Sequence, residues 1–331
     1  MSISPKINAC VATALVALSM QAAHADSYAI QDLGVDVIPF GIDRGGIVAG
    51  FRNDKAVVFR NGHWHALQFP GHAGIARAVN DHGDIVGAQG STPILWARFG
   101  RRQVLALPAG ATSGSAAGVA GDGTAVGQFD PVDDPFHTHC FRTLPDGTST
   151  DLGLFAPGGG CSAAGIDDRG GIVGVADILP GGPGHAFLWR AGVLRDLGTL
   201  GGDTSAATAI NAHGQVVGRS NLTIDGPDKA FAWKQGVMTD IGDSADFPAT
   251  MANAINDRGE IVGAGIRRDD GSFRALRFAG GAVIPLEGEV QDLGDWLLIS
   301  ATSVNDDGVI VGQGVRQGDG QAHGFLLRPL P

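Results

Sequence analysis

The segment AINAHGQVVG, residues 209–218, is one of seven copies of a single unit, and this repetition constrains the fold more than any other feature of the chain. The other copies begin at Gly41, Ala78, Gly118, Gly165, Ala254 and Ser303. Their last glycines stand at 50, 87, 127, 174, 218, 263 and 312, so the period runs from 37 to 49 residues, the range of four-stranded propeller blades. A second signature follows each copy, clearest as HAFLWRAG (185–192) and KAFAWKQG (229–236), and a third comes next as RDLG (195–198), TDIG (239–242) or TDLG (150–153).

Each unit therefore reads as four short strands, A to D: A ends in AIN, B is QVVG, C is AFLW and D is RDLG. All are short, apolar or β-branched, and bounded by Gly, Asn, Asp or Pro. Their apolarity is continuous rather than alternating, as expected of a sheet covered on both faces. No stretch of the chain after its first 25 residues sustains a 3.6-residue apolar period. The ends decide between an open stack and a ring. YAIQDLG (28–34) is a D segment with nothing before it, and the last copy stops at GFLLRPLP, a C segment with no D after it. An N-terminal strand that completes the last blade closes a ring and leaves no unpaired seam. The expectation is an all-β, seven-bladed β-propeller of 28 strands, one domain over residues 26–331.

These residues resemble the HAF-repeat family of bacterial extracellular repeat proteins, through His185-Ala186-Phe187 and the run DLGTLGGDTSAATAIN (196–211). The resemblance covers nearly the whole chain after residue 25. It implies a secreted, β-rich repeat protein, and it carries no catalytic or binding residue to transfer.

The first 25 residues read as a secretory leader. Lys6 precedes an apolar run from Val11 to Met20, and Ala23-His24-Ala25 forms a small-x-small cleavage signature, cut after Ala25. No later apolar run reaches the roughly 18 residues of a membrane span. The expected destination is the periplasm or the exterior. There, Cys140 and Cys161 have the means to form a disulfide, the alternative being two buried thiols. A formal net charge of −11 with no basic stripe excludes a nucleic-acid binder, because phosphate neutralisation supplies most of that affinity.

Candidate chemistry is sparse. Glycine fills one turn position in every copy: Gly46, Gly83, Gly123, Gly170, Gly214, Gly259 and Gly308. These read as hairpin turns needing positive φ, with the Asn or Asp that stands three residues earlier in six of the copies bonding the turn backbone. The acids Asp130, Asp133 and Asp134, like Asp269 and Asp270, match no calcium loop and read as solvated loop charge. In HTHC (137–140), His139 occupies a repeat position also held by His185, Lys229, Arg274 and His323, which leaves His137 alone as a metal candidate. No G-x-S-x-G is present. Trp96, Trp189 and Trp233 share one core position on strand C. Trp64 and Trp296 depart from it, and Trp296, in the longest D-to-A connection, is open to inward packing or to ligand stacking. A–B turns are uniform in length, whereas B–C and D–A connections vary, so the face carrying B–C and D–A loops is the expected binding face. Asp130, Asp133, Asp134, His137 and Trp296 are its candidates. The expected function is a non-enzymatic module, monomeric and without cofactor, that binds a protein, glycan or surface component. The alternative is a hydrolase or lyase of extracellular polymers, with ionisable groups from several blades meeting at the channel mouth.

Overall fold

The computed structural model describes residues 27–67, 73–98, 101–134 and 136–331. The expected leader, with its cleavage after Ala25, lies outside the described residues. Seven sheets, each built on four antiparallel strands, form the blades of a ring, and a single 3-10 turn at Leu286–Glu289 is the helical content of the described residues. In each blade the strands run in the order A, B, C, D from the centre outward. Strand A of every blade packs on strand A of the next, including blade 7 on blade 1, which identifies A as the wall of the central channel.

The ring closes as the chain ends require. The N-terminal strand Tyr28–Val35 pairs antiparallel with strand C of blade 7, Gln321–Pro329, and serves as its D strand. The structure adds a strand that the repeat does not foretell. Val290–Gln291, from the long D-to-A connection, pairs in parallel with Tyr28 and Ala29 and covers the outer edge of the closing strand. Blade 7 thus has five strands, in a molecule of 29 among the described residues.

The core lies between blades. One cluster joins Val173 and Ala186 of blade 4 to Ala207, Ile210, Val216 and Phe231 of blade 5. Another joins Ala49, Ala56 and Val58 of blade 1 to Ala76, Ile85, Ile94 and Trp96 of blade 2. A sheet buried from both sides explains strands whose apolar residues do not alternate.

The two signatures meet face to face. The last glycine of each A–B copy stands opposite the central apolar residue of strand C: Gly218 opposite Phe231, Gly174 opposite Phe187 and Gly312 opposite Phe325. A Cβ on Gly218 would overlap the carbonyl oxygen of Ala206 and come within 2.9 Å of Cε1 of Phe231. Glycine is a steric necessity there. At the wall of the channel, inner strands approach almost backbone to backbone: a Cβ on Gly41 would sit 3.3 Å from Cα of Ala78, and one on Gly118 equally close to Cα of Gly165. This is why every copy opens with Gly, Ala or Ser.

Each strand A also carries a β-bulge at the same place, just before that small residue. The extra residues are Phe40, Arg77, Ala117, Ala164, Thr208, Asn253 and Thr302.

Cys140 and Cys161 form a disulfide. It joins strand C of blade 3 to strand A of blade 4, and so clamps two blades together. In the chain-entropy picture, a loop of this length contributes about 3 kcal/mol.

Candidate functional site

The face bearing the A–B turns is uniform and stitched together. All seven turn glycines have positive φ, from 72° at Gly214 to 87° at Gly123. In every turn the glycine N–H donates to the carbonyl of the residue three positions earlier. Where that residue is Asn, its side chain serves two blades. Asn211 Oδ1 accepts from His213 and Gln215 N–H within its own turn, while Nδ2 donates across to the carbonyl of Asn256 in the next blade, at 3.0 Å. Asn80, Asn256 and Asn305 repeat this bond to Ala120, Asn305 and Asp43. The next residue adds a second stitch: the N–H groups of Arg44, Gly121, Ala212 and Asp257 donate to Asp81, Asp168, Asp257 and Asp306 of the following blade, at 2.7–2.8 Å. These bonds surround a cup of about 440 Å³ at the channel mouth. Its floor is seven aliphatic side chains, Ile42, Val79, Val119, Ile166, Ile210, Ile255 and Val304.

On the opposite face, the start of strand C is tied to the end of strand D. Nδ1 of His185 donates to Asp196 at 3.0 Å, and His139 and His323 do the same to Asp151 and Asp32. The aspartate also accepts the N–H of the glycine two residues on, as Asp196 does from Gly198 at 2.7 Å. The histidine of HAF and the aspartate of DLG are therefore one structural pair, closed within a blade.

In blade 7 this pair spans the ring closure, because Asp32 belongs to the N-terminal strand. Burial pulls the His323 pKa down, but hydrogen bonds to Asp32 and Asp319 outweigh it and leave it raised above 6.5. A raised folded pKa means the contribution to stability is complete below the unfolded value and is lost as pH rises through the folded one. Amide exchange in the N-terminal strand, corrected for intrinsic rates, is expected to quicken as the pH rises from below 6.5 through the raised folded pKa of His323. Asp32→Asn should flatten that dependence, and an unchanged slope would refute the role assigned to the pair.

The residues singled out from sequence separate on the structure. Asp130 lies on strand B of blade 3, not in the loop, and its carboxylate takes the hydroxyl of Ser113. Asp134 accepts from His137 Nδ1 at 2.9 Å, a bond that lowers the Asp134 pKa. Asp133 is exposed. The two imidazoles of HTHC make their hydrogen bonds to different carboxylates, Asp134 and Asp151, although His139 Nε2 also lies 4.0 Å from Asp134, and the Cys140 sulfur is committed to the disulfide. Trp296 is 7 % exposed and packs inward, edge-on to His323 and Phe325, with the Arg316 guanidinium over its ring. Trp64 donates Nε1–H to the Leu33 carbonyl and so ties blade 1 to the closing strand.

Two features of this face go beyond the binding-face candidates named from sequence, although the first includes Asp269, read from sequence as loop charge. A cleft of about 350 Å³ lies between Asp246, Phe247, Arg267, Arg268, Arg274 and Glu287. Its charges are paired: Arg267 with Asp269, Arg274 with Asp270, and Arg268 with the Ala245 carbonyl. Hydrogen bonds from Ser272, with help from Arg274, hold the Asp270 carboxyl down at about 2. The second feature is a row of exposed apolar side chains. Val132 and Phe136 in blade 3, Leu179 in blade 4, Leu222 and Ile224 in blade 5, and Phe273 in blade 6 all stand on or beside B–C connections, Phe136 being 89 % exposed. Their signal in the sequence is an apolar residue inside a loop rich in Asp, Gly and Pro.

No family model matches the chain, and no curated protein matches it. Among solved structures, it is similar to virginiamycin B lyase from Staphylococcus aureus, with a TM-score of 0.55 and 10% identity over 90% of this chain and 99% of that one. A second structure of that lyase, a catalytically inactive variant with quinupristin, gives a TM-score of 0.51 and 12% identity over 92% and 100% of the two chains. A gluconolactonase from Xanthomonas campestris gives 0.45 and 14% identity, over 92% and 90%. At such identities the likeness is one of fold.

Proposed function

We propose that this seven-bladed propeller is a secreted HAF-repeat binding module, non-enzymatic, whose partner is a protein held against the face of the B–C and D–A loops. The observation that carries this reading is the apolar row. Of nine large apolar side chains strongly exposed among the described residues, six stand at B–C connections of four consecutive blades, 3 to 6. Their concentration on one face, in loops that also carry charge, favours a protein-interaction surface over scattered exposure, which needs no explanation. Charged neighbours, Asp133, Asp225 and Arg267, supply the rim. The disulfide accords with an oxidising compartment. No helix among the described residues is long and apolar enough to cross a membrane.

The alternative, a propeller hydrolase or lyase, calls for ionisable groups from several blades to meet at the channel mouth, and Asp81, Asp168, Asp257 and Asp306 of four blades do line the cup there. The acids that ring the cup, Asp81, Asp168, Asp257 and Asp306, each give an oxygen to a backbone N–H of the preceding blade. They are stitches first.

The test compares the natural chain with a triple variant, Phe136→Ser, Leu179→Ser and Ile224→Ser, as cross-linking baits in the native extracellular fraction. Exposed apolar positions carry little folding energy, so the variant should melt with the natural chain. A protein recovered by the natural chain should fall at least about tenfold with the variant. Equal recovery by both baits would sink the proposal.

A further inference from the structure

One charged side chain inside the ring has no hydrogen-bond or ion-pair partner among the described residues. Of the seven bulge residues of the inner strands, only Arg77 is ionisable. The polar ones direct their donors to the next blade: Thr208 Oγ1 donates to the Ala252 carbonyl, Thr302 Oγ1 to that of Pro39, and Asn253 Nδ2 to that of Ala301. Arg77 makes no hydrogen bond or ion pair among the described residues, and its guanidinium lies over the ring of Phe40, 5.9 Å from the centroid.

Arg77 is exposed, yet it sits in the innermost strand of blade 2, Gly74–Val79. One edge of that strand is bonded to strand B and the other borders the channel, so its exposure is exposure to the channel. At the same level the next two blades present only methyl groups, Ala117 and Ala164, which leaves room around the guanidinium. Five N–H donors in a planar fork stay unused. The chain holds 34 acidic against 23 basic residues, yet no carboxylate among the described residues turns to this one. Confinement by the surrounding protein lowers the Arg77 pKa, with no nearby acid to offset it.

We propose that Arg77 anchors an anion site in the central channel, taking a small oxyanion, a carboxylate or a tetrahedral sulfate or phosphate. Two oxygens of such a group match the guanidinium fork, and the Phe40 ring holds the fork in place. Val79, two residues on, lines the cup of the A–B face, so Arg77 lies on the B–C/D–A side of that cup. The site uses none of the apolar row, and the two proposals stand or fall separately.

The experiment follows the Arg77 Nε–Hε resonance in protein labelled with 15N-arginine, assigned by its loss in Arg77→Lys. Sodium acetate and sodium sulfate are titrated separately at constant ionic strength against chloride. A saturable shift of that resonance below about 50 mM in either arm supports the site, and the arm that responds distinguishes the planar from the tetrahedral anion. A parallel melt should show the natural chain gaining more from that anion than Arg77→Gln, which reports the general salt effect alone. A resonance unmoved by both anions, or equal gains in both proteins, would overturn the assignment. Should Arg77→Gln fail to fold, the resonance decides by itself.

Discussion

Gly218→Ala is expected to cost about 3 kcal/mol or more, lowering the melting temperature by about 5 °C or more in a domain of this size. The added methyl would overlap the Ala206 carbonyl and press on Phe231, both fixed in the sheet, so neither can move aside without breaking the pairing of strands A and B or B and C. Gly214→Ala, four residues away, provides the contrast. Gly214 has a φ of 72° and open space around it, so alanine there bears only the strain of its backbone conformation, about 1–2 kcal/mol. Thermal or denaturant unfolding of the two variants side by side is the check. If Gly214→Ala proved the more damaging, the steric account of the signature would be wrong.

Removing the N-terminal strand should have the largest effect of all. A chain starting at Asp36 would leave strand C of blade 7 with a bare edge beside Phe325, Leu326 and Leu327, all now fully buried. An exposed apolar edge recruits another strand, so the expected product is an oligomer with no sharp melting transition. Adding a synthetic peptide of Ser27–Val35 should restore the monomer and its transition, because every bond that seats the strand, from its backbone pairing to the Asp32–His323 pair, is non-covalent. A truncated chain that stayed monomeric and cooperative would show that the closing strand is dispensable.

Much of the scaffold is legible in the amino-acid sequence. Hairpin, strand C and strand D recur in one order, and each is a local pattern, so counting copies and inspecting the ends suffices for seven blades and their closure. What the pattern leaves open depends on register or on neighbouring blades. That the glycine of VVG faces the phenylalanine of HAF follows from pairing 13 residues apart, which spacing alone does not dictate. Local chemistry assigns the amide of Asn211 to its own turn, and it does bond there, but its other end reaches a residue 45 positions on. The row from Val132 to Phe273 is hard to see because charge and glycine dominate the loops that hold it. Arg77 stands one residue before the motif AVNDHGDIVG, just outside the window that defines the copies, and a bulge has no sequence signature of its own. Val290–Gln291 belongs to no repeat, so nothing periodic announces it.

The closing strand has a consequence for the order of events in folding. Asp32 pairs with Phe325, and Tyr28 with Pro329, contacts separated by nearly the whole chain. The strand Tyr28–Val35 must therefore wait for Gln321–Pro329, about 290 residues on, while blades 1 to 6 have all their strands much sooner. The disulfide, with a separation of 21 residues, has its partners at hand long before then. Loop-closure entropy makes such long-range pairing the slow step. Until it occurs the molecule is an open arc with one unpaired strand at each end, and it is in that interval, rather than once the ring has formed, that the chain most needs protection from its own copies.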